Sequence, residues 1–310
     1  MIEEQAPNDL ETDRALATLL ESLRERHYGA VNTILVYGSC LRSGDIYDGL
    51  VDLYLICDSY RSAYAGRGLA LANWLLPPNV FYAEVEHEGK TLRSKYALIA
   101  TADFCSGCST RWFESYIWGR FAQPVRVVYS RDQASRHTIE ECVLQASRTF
   151  LQRALPCLPA SGPVRDLWRG ALELSYRTEL RSERGGRAAE LAEASLAHFE
   201  AMTCQHAGAL DLPFSVEELD RTLHYRTEIP GYRRAACRLG WLLRRVYGKL
   251  MSVLRLLKGL FTFDGGIDYV VWKLARHTGQ EVVVPDRVRR FPLLFIWGFV
   301  WRLYRQGLFR

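Results

Sequence analysis

The feature that most constrains the fold is a glycine-serine turn between two apolar runs. The first run, residues 33–37, ends at Gly38 and Ser39, and a second apolar run about a dozen residues later carries Asp52. Apolar runs of this length bounded by turn residues predict a strand, a tight turn, a short helix and a second strand. Glycine lets the backbone approach a phosphate, while the serine hydroxyl and the following N–H groups can donate to it. A carboxylate on the next strand can hold a magnesium ion that bridges such phosphates.

This arrangement fits the general pattern of nucleotidyltransferases, with one departure. Those enzymes carry two acids two residues apart on the second strand, and this chain has Leu50 where the first would stand. Because side chains alternate along a strand, Leu50, Asp52 and Tyr54 share one face, and only Asp52 can bind a metal. On these residues alone, an ordinary turn followed by an edge-strand aspartate is the alternative interpretation.

Composition places the chain among ordinary globular proteins. It has 310 residues, of which 48% are hydrophobic and 24% charged, enough for two hydrophobic cores. Its eight cysteines are scattered, and there is no second close pair beside Cys105 and Cys108, so we expect no zinc site. Scattered cysteines instead predict separate thiols in a reducing compartment. The first thirty residues hold many acids and no apolar segment, which predicts neither a secretory signal nor a mitochondrial presequence. We expect a cytoplasmic protein.

Hydrophobic periodicity and turn residues predict alternating helices and strands. A helical stripe covers 11–26. The next predicted elements are a helix at 62–76, hairpin strands at 79–86 and 91–101, a helix at 102–121, a strand at 125–129 and a helix from 133. A proline- and glycine-rich stretch at 159–163 predicts a linker. The pattern then predicts helix over 167–202, with an interruption near 185, and a short capped helix at 214–223.

Three further segments of the sequence resemble those of one known family. They are Ser94 to Thr101, the run from Trp112 through Tyr116, Gly119 and Arg120 to Val125, and Leu174 to Arg181. Together with Tyr37-Gly38-Ser39 and Val51-Asp52-Leu53, they resemble the phosphatidate cytidylyltransferase family of the mitochondrial translocator assembly and maintenance protein. The likeness covers about residues 30–185, and Gln123 departs from it where a lysine is expected.

The resemblance implies a magnesium-dependent enzyme that makes CDP-diacylglycerol and pyrophosphate from CTP and phosphatidate. It also implies an α+β fold: a nucleotidyltransferase-type mixed β-sheet with flanking helices, a mainly helical, winged-helix-like domain and an amphipathic C-terminal tail. We place the nucleotidyltransferase domain at 1–158, the helical domain at 159–286 and the membrane-interfacial segment at 287–310. Composition and periodicity do not indicate CTP or phosphatidate.

Site residues follow from the matched motifs. Gly38 and Ser39, preceded by Tyr37, are expected to bind the nucleotide phosphates, and Asp52 the magnesium ion. Lys95, also expected at the nucleotide, and Arg120 would neutralise charge on the phosphates in the transition state.

Each of these cations has a structural alternative, a solvated strand lysine and an arginine that complements a helix dipole. Glu84 and Glu86 share a strand face and are candidate second metal ligands, although exposed hairpin glutamates are commoner. The motif places Glu179 and Arg181 on the cleft from the second domain.

The C-terminal quarter concentrates the basic charge. Residues 231–310 hold sixteen Lys and Arg against four Asp and Glu, and 233–263 combine eight basic residues with apolar ones and no acid. This predicts an amphipathic helix with a cationic face toward anionic lipid. A helix packed on the core with a solvated basic side is one alternative. A nucleic-acid partner is another, but no recognised motif accompanies it and we expect none.

An uncharged segment at 291–301 is too short to span about 30 Å of hydrocarbon. Its aromatic content and flanking arginines predict a segment in the membrane interface; a buried terminal helix is the alternative. The expected membrane-binding residues are Arg289, Arg290, Phe291, Phe295, Trp297 and Trp301.

The leading hypothesis is therefore a peripheral enzyme on the inner face of the cell membrane that transfers a cytidylyl group to phosphatidate. One alternative is a nucleotidyltransferase that acts on another phosphate-bearing acceptor. A second is a non-catalytic relative that binds nucleotide and membrane, which Leu50 and Gln123 favour. The sequence leaves the oligomeric state open.

Overall fold

A five-stranded mixed sheet with helices on both faces forms the first half of the protein. The computed structural model describes residues 14–43, 45–47, 49–179, 186–262, 284–290 and 298. The strands are β1 Val31–Tyr37, β2 Val51–Cys57, β3 Asn79–His87, β4 Lys90–Ala100 and β5 Val125–Ser130, in the order β3-β4-β2-β1-β5. Strand β1 runs antiparallel to β2 and β5, and β3 antiparallel to β4, whereas β2 and β4 are parallel.

Seven helices accompany this sheet. They are α1 Arg14–Arg26, α2 Ser39–Ser43, α3 Tyr60–Ala63, α4 Arg67–Leu75, α5 Thr101–Cys108, α6 Trp118–Phe121 and α7 Gln133–Ala154. Helix α1 buries its leucine stripe, including Leu16, Leu19 and Leu23, against one face of the sheet. The other face packs on α5, α6 and α7 through residues such as Tyr54 and Phe121. The predicted α+β class, a mixed sheet with flanking helices, is confirmed.

The second half combines helices with a small sheet. After a 3₁₀ turn at Leu155–Cys157 come β6 Ser161–Pro163, α8 Val164–Tyr176, α9 Arg187–Ala194, α10 Leu196–His206, β7 Phe214–Leu219, β8 Thr222–Thr227, α11 Gly231–Thr262 and α12 Asp286–Arg290. Strands β6, β8 and β7 form a three-stranded sheet beside the helices. Helices therefore lie before and after a small sheet in this half, and the winged-helix-like character that the resemblance implies stays a prediction. One hydrophobic cluster runs from the first sheet into this half, where Trp168 stacks on Phe199 with ring centres 4.4 Å apart.

Three elements differ from the sequence expectation. The helix predicted at 102–121 is two helices, α5 and α6, separated by a turn region. The helix predicted at 214–223 is the β7–β8 hairpin, because Asp220 and Arg221 adopt positive φ angles of 49° and 62°, as a two-residue hairpin turn requires. The expected linker includes β6, which pairs with β8.

The cysteines are less separate than expected. Cys105 on α5 and Cys142 on α7 form a disulfide. The sulfur atoms of Cys157 and Cys237 lie 2.7 Å apart and bring the 3₁₀ turn against α11. The expectation of separate thiols is therefore wrong for Cys105 and Cys142.

The two sides of helix α11 differ from the sequence prediction of a cationic face exposed to solvent. Arg234, Arg244 and Lys258 donate to backbone carbonyls of Leu158, Phe113 and Pro78, so these cations point into the protein. The opposite side exposes large apolar side chains: Leu239, Leu242, Leu243, Val246, Tyr247, Leu250, Val253, Leu254, Leu256 and Leu257. Within the described part of the chain, no helix has the length and apolar character needed to cross a membrane.

The buried histidine of α10 gives the fold a defined pH dependence. The ring of His206 is 5% exposed and lies 2.7 Å from the Ser147 hydroxyl, and burial followed by the Arg148 charge lowers its pKa to about 4. At a pH between about 4 and 6.5, His206 therefore binds a proton in the unfolded chain, where its pKa is the ordinary 6.5, but not in the folded protein. We expect the free energy of unfolding to fall as the pH drops from about 6.5 toward 4, by about 1–3 kcal/mol from this residue.

Urea unfolding of the wild type, His206→Gln and His137→Gln at neutral and acidic pH measures this dependence. His206→Gln should reduce the loss of stability at acidic pH without removing it, because burial also lowers the pKa of His27 and His198, whereas His137→Gln, whose side chain is 68% exposed, should leave it unchanged. Equal acid sensitivity in all three proteins would contradict the assignment to His206.

Candidate active site

A row of polar and aromatic side chains crosses four neighbouring strands of the large sheet. Tyr37 on β1 is paired with Asp52 on β2, Asp52 with Lys95 on β4, and Lys95 with Tyr82 on β3. Paired residues of neighbouring strands project to the same face, and the strands lie about 4.8 Å apart. Asp52 is therefore flanked by Tyr37 and Lys95. The register thus joins two of the charged residues that the sequence proposed for the site.

The glycine of the Gly-Ser turn makes room for the aspartate. Gly38 has a φ of +86°, and a β-carbon at this position would lie 2.9 Å from Oδ2 of Asp52. The carboxylate therefore packs directly on the Gly38 backbone. Ser39, which begins α2, is exposed at the same turn. The predicted proximity of Gly38, Ser39 and Asp52 is present.

A tyrosine in contact with two arginines lies next to this row. The ring centre of Tyr116 is 4.3 Å from Cζ of Arg120 and 4.0 Å from Cζ of Arg255. Cζ of Arg120 is also 5.8 Å from the centre of the Tyr37 ring. Since Tyr37 is the partner of Asp52, the arginines extend the site from the sheet toward α11.

Two glutamates balance these arginines. Nη2 of Arg120 lies 3.5 Å from Oε2 of Glu179. Arg255 donates from Nη1 and Nη2 to the two carboxylate oxygens of Glu114, at 2.6 and 2.7 Å, and the two side chains are 12% and 7% exposed. Buried charges are tolerated when they are paired in this way.

The charges shift the ionisation of the tyrosines in opposite directions. Burial and then the Asp52 charge raise the pKa of Tyr37, so its phenol stays protonated. Burial also opposes ionisation of Tyr116, but the adjacent Arg120 and Arg255 outweigh it and lower the pKa of Tyr116. Arg120 is buried too, and its pKa is raised because Tyr116 and Glu179 stabilise its charge. Arg120 is therefore a permanent cation near the Tyr37 ring.

The structure does not bring the other proposed metal ligands to Asp52. Glu84 is paired with Arg93 across the β3–β4 hairpin, with Oε2 3.7 Å from Nε. Strand β4 lies between β3 and β2, so Glu84 is about 10 Å from Asp52 across the sheet. Glu84 also lies two residues beyond Tyr82, which adds about 7 Å along the strand direction. Glu86 lies farther still. Neither glutamate is paired with Asp52 in the register of the sheet, and their role as second metal ligands stays a prediction.

The second-domain motif is only partly described. Glu179 follows α8, and its Oε2 lies 3.5 Å from Nη2 of Arg120; its place on a cleft from the second domain stays a prediction. Arg181 lies outside the described residues. Gln123 donates from Nε2 to the Gly119 carbonyl at 2.9 Å and accepts from the Tyr176 hydroxyl at 3.4 Å, so the departure from the family pattern has a structural role here.

The expected membrane-binding residues cannot be placed in the site. Arg289 and Arg290 end α12, and the structure describes their backbone alone. Phe291, Phe295, Trp297 and Trp301 lie outside the described residues.

Sequence reasoning missed Glu114 and Arg255. Glu114 stands inside the matched motif, between Trp112 and Tyr116, where its position was a usable signal. Arg255 lies 141 residues farther along and belongs to a basic stripe that was assigned to the helix surface. Nothing in that stripe distinguishes Arg255 from the cations that face solvent.

A substitution at Gly38 tests the packing of the carboxylate. Gly38→Ala adds a β-carbon against Asp52 as well as strain at positive φ, and Gly89→Ala adds the strain alone, since Gly89 has a φ of +75° and nothing within 4 Å of the added atom. We expect Gly38→Ala to lower the free energy of unfolding by about 1 kcal/mol more than Gly89→Ala. Urea denaturation of both variants, each also in an Asp52→Ala background, measures the difference. If the extra cost persists without the carboxylate, the proposed contact is wrong.

Comparison with known proteins bears directly on the motif resemblance. Among solved structures, the chain is similar to a nucleotidyltransferase-like protein from Exiguobacterium sibiricum, with 13% identity, a TM-score of 0.27 and coverage of 95% of this chain and 91% of that one. No curated protein sequence matches. A family model for phosphatidate cytidylyltransferase, mitochondrial, matches residues 62–207, just under half of the chain. That range contains Lys95, Tyr116, Arg120 and Glu179 but not the Gly38 turn or Asp52. Over residues 62–207 the predicted resemblance is confirmed: this part of the chain is similar to the phosphatidate cytidylyltransferases, a family of nucleotidyltransferase enzymes.

Proposed function

We propose that the protein transfers a cytidylyl group from CTP to phosphatidate at a membrane surface, forming CDP-diacylglycerol and releasing pyrophosphate. The observation that carries the proposal is the Asp52 carboxylate packed on the Gly38 backbone in register with Lys95. The family match over 62–207 supports the reaction class. CTP and phosphatidate are taken from the family description, since the contacts of the described residues do not indicate which base or which lipid binds.

Magnesium fits the donor set at this turn. Mg2+ is commonly held by one or two carboxylates together with substrate phosphates and water. Asp52 supplies one carboxylate, and in the described ranges no group of three or more His, Cys, Asp or Glu side chains comes together as a metal site. Asp52 would therefore hold the ion with the oxygens of the triphosphate. The bound ion would supply charge neutralisation at the phosphates.

The protein side chains act by position and charge. The Gly38 turn and the Ser39 hydroxyl contact the outer phosphates, while Lys95 and Arg120 stabilise the negative charge that spreads over them during transfer. The phosphate oxygen of phosphatidate forms a bond to the α-phosphorus of CTP, the bond from that phosphorus to the bridging oxygen breaks, and pyrophosphate leaves.

The nature of the acceptor accounts for the single acid. A phosphomonoester has a second pKa near 6, so its oxygen is already anionic at neutral pH. No side chain has to remove a proton from it. Leu50 in place of a second acid is compatible with such an acceptor.

We also place the membrane contact on the outer side of α11. Its exposed leucines are interspersed with the exposed cations Arg238, Arg245 and Lys249, and residues 231–262 contain no acid. Leu71, Trp74 and Leu75 of the neighbouring α4 add 55–65% exposed apolar side chains. Apolar side chains with surrounding cations suit the interface of an anionic bilayer.

One observation favours the alternative of a non-catalytic relative. Of the four residues paired across the described strands at this level, Tyr37, Asp52, Lys95 and Tyr82, one carries a carboxylate, where nucleotidyltransferases in general have two acids on the second strand. A nucleotide-binding protein without turnover would retain this geometry. A nucleotidyltransferase for a different phosphate-bearing acceptor is equally compatible with the site.

Release of pyrophosphate tests the reaction directly. The wild type with CTP, phosphatidate vesicles and Mg2+ should release pyrophosphate and form CDP-diacylglycerol, and chelation of Mg2+ should stop both. Asp52→Asn should lower kcat by about 100-fold or more because the carboxylate charge is lost, whereas Glu88→Gln, an exposed hairpin carboxylate, should not. Parallel assays with ATP, GTP and UTP identify the base. CTP binding without product in any mixture would support the non-catalytic alternative.

Vesicle flotation tests the membrane contact. The wild type should float with vesicles rich in anionic phospholipid, and the double variant Leu242→Glu, Leu250→Glu should bind at least about 10-fold more weakly because two carboxylates replace apolar contacts. Leu219→Glu is the matched control, since this leucine is 47% exposed on the β7–β8 hairpin. A truncation that lacks residues 288–310 tests the expected C-terminal segment separately. If only the truncation loses binding, the outer side of α11 is not the contact.

A further inference from the structure

Arg255 is placed where it supports the site but has little capacity left for a substrate. Its guanidinium is held on both Nη atoms by Glu114, and Nε donates to the Pro77 carbonyl at 3.1 Å. One planar surface of the group lies on the Tyr116 ring. With its side chain 12% exposed, Arg255 is committed to contacts within the protein.

The Tyr116 ring links Arg255 to Arg120. The Cζ atoms of the two guanidinium groups lie 4.0 and 4.3 Å from its centre, so one ring contacts both arginines. Each contact is a cation–π interaction, and such interactions strengthen when the charge is removed from water. The position of Arg120 therefore depends on the position of Tyr116, and that of Tyr116 on Arg255.

Tyr116 has little backbone support of its own. It lies in the turn region between α5 and α6, outside both helices. Its neighbour Ser115 is tied to Thr178 by a 2.7 Å contact between their hydroxyls. The ring contacts, rather than a regular element, fix the side chain.

Helix α11 reaches the other side of Arg120 as well. A β-carbon on Gly248 would lie 2.6 Å from the Thr178 carbonyl oxygen, so only glycine permits this close approach. Thr178 precedes Glu179, the partner of Arg120. One helix therefore supports Arg120 through Tyr116 and through the segment that carries Glu179.

We propose that Arg255 is a positioning residue for the cytidylyl transfer, holding Tyr116 and thereby Arg120 against the nucleotide site. This inference rests on the proposed function. Arg255 does not touch the substrate; it determines where the guanidinium of Arg120 stands when negative charge develops on the phosphates. Helix α11 thus contributes a residue to the reaction, although the motif-bearing segments end more than seventy residues before Arg255.

A double-mutant cycle on Arg120 and Arg255 separates positioning from general stability. In the wild-type background, Arg255→Met should lower kcat by about 10-fold or more with a smaller effect on the KM for CTP. In an Arg120→Met background the same change should alter kcat by less than about 2-fold, because the residue that it positions is gone. Arg169→Met, which changes a half-exposed arginine of α8 outside both the proposed site and the proposed membrane contact, should leave kcat and Tm unchanged. An equal loss of kcat in both backgrounds would overturn the proposal.

Arg255→Lys covers the case in which Arg255→Met does not fold. Lysine keeps the positive charge for Glu114 but cannot reproduce the bidentate contact and the stack on Tyr116. We expect this variant to retain a Tm near that of the wild type and to show a reduced kcat. Wild-type kcat in Arg255→Lys would overturn positioning through the stack.

A spectroscopic readout keeps the inference testable if no turnover is found. The ultraviolet absorbance of tyrosinate, followed with pH and compared with Tyr116→Phe, isolates the ionisation of Tyr116. Both Arg120→Met and Arg255→Met should raise the pKa of Tyr116, because each removes a neighbouring cation. This result would support the stack even if the proposed reaction fails, whereas an unchanged pKa in Arg255→Met would overturn it whatever the activity.

Discussion

The contact on which the site depends is the one between the Asp52 carboxylate and the Gly38 backbone. It requires a glycine at positive φ directly after β1. It also requires an aspartate on β2 at the position paired with Tyr37, the residue before that glycine. The register of the sheet then places Tyr37 on one side of the carboxylate and Lys95 on the other. Because a shift of one residue would turn Asp52 to the opposite face, the buried faces of the sheet maintain the site as well as the fold.

Charge balance organises the neighbouring part of the molecule. Arg120 and Arg255 are each paired with a glutamate, and the Tyr116 ring contacts both arginines. Isolated charges would be costly at this depth, so the four ionised groups are mutually dependent. They come from the α5–α6 turn region, α6, the end of α8 and α11. The site therefore forms only when the second half of the chain packs on the first.

The sequence predicted the strands of the large sheet well because β1 and β2 are mainly apolar and because β3 and β4 flank a clear turn at residues 88–90. It failed where packing overrode local pattern. A β-carbon on Gly107 would lie 2.9 Å from Ile117, so the chain turns back on itself within the segment that reads as one helix. The sequence of β7 resembles a helix start, and the two positive-φ residues of the turn are an aspartate and an arginine instead of the glycine that signals a hairpin. The site was predicted as far as its motifs extend, and Arg255 was not, since its partner is remote in sequence.

Helix α11 shows why a basic, apolar helix does not reveal its orientation from sequence. Its inner side faces carbonyl oxygens of Phe113, Leu158 and Pro78, which lie in turns and have no regular strand or helix partner. Long cationic side chains can satisfy such groups, and leucines cannot. The leucines therefore lie on the outer side. There each Å² of apolar surface that stays in water lacks the free energy of burial, about 25 cal/mol. A bilayer surface would recover that energy, and because the same helix holds Tyr116 through Arg255, recovery at the outer side would also favour the arrangement of Arg120 on the inner side.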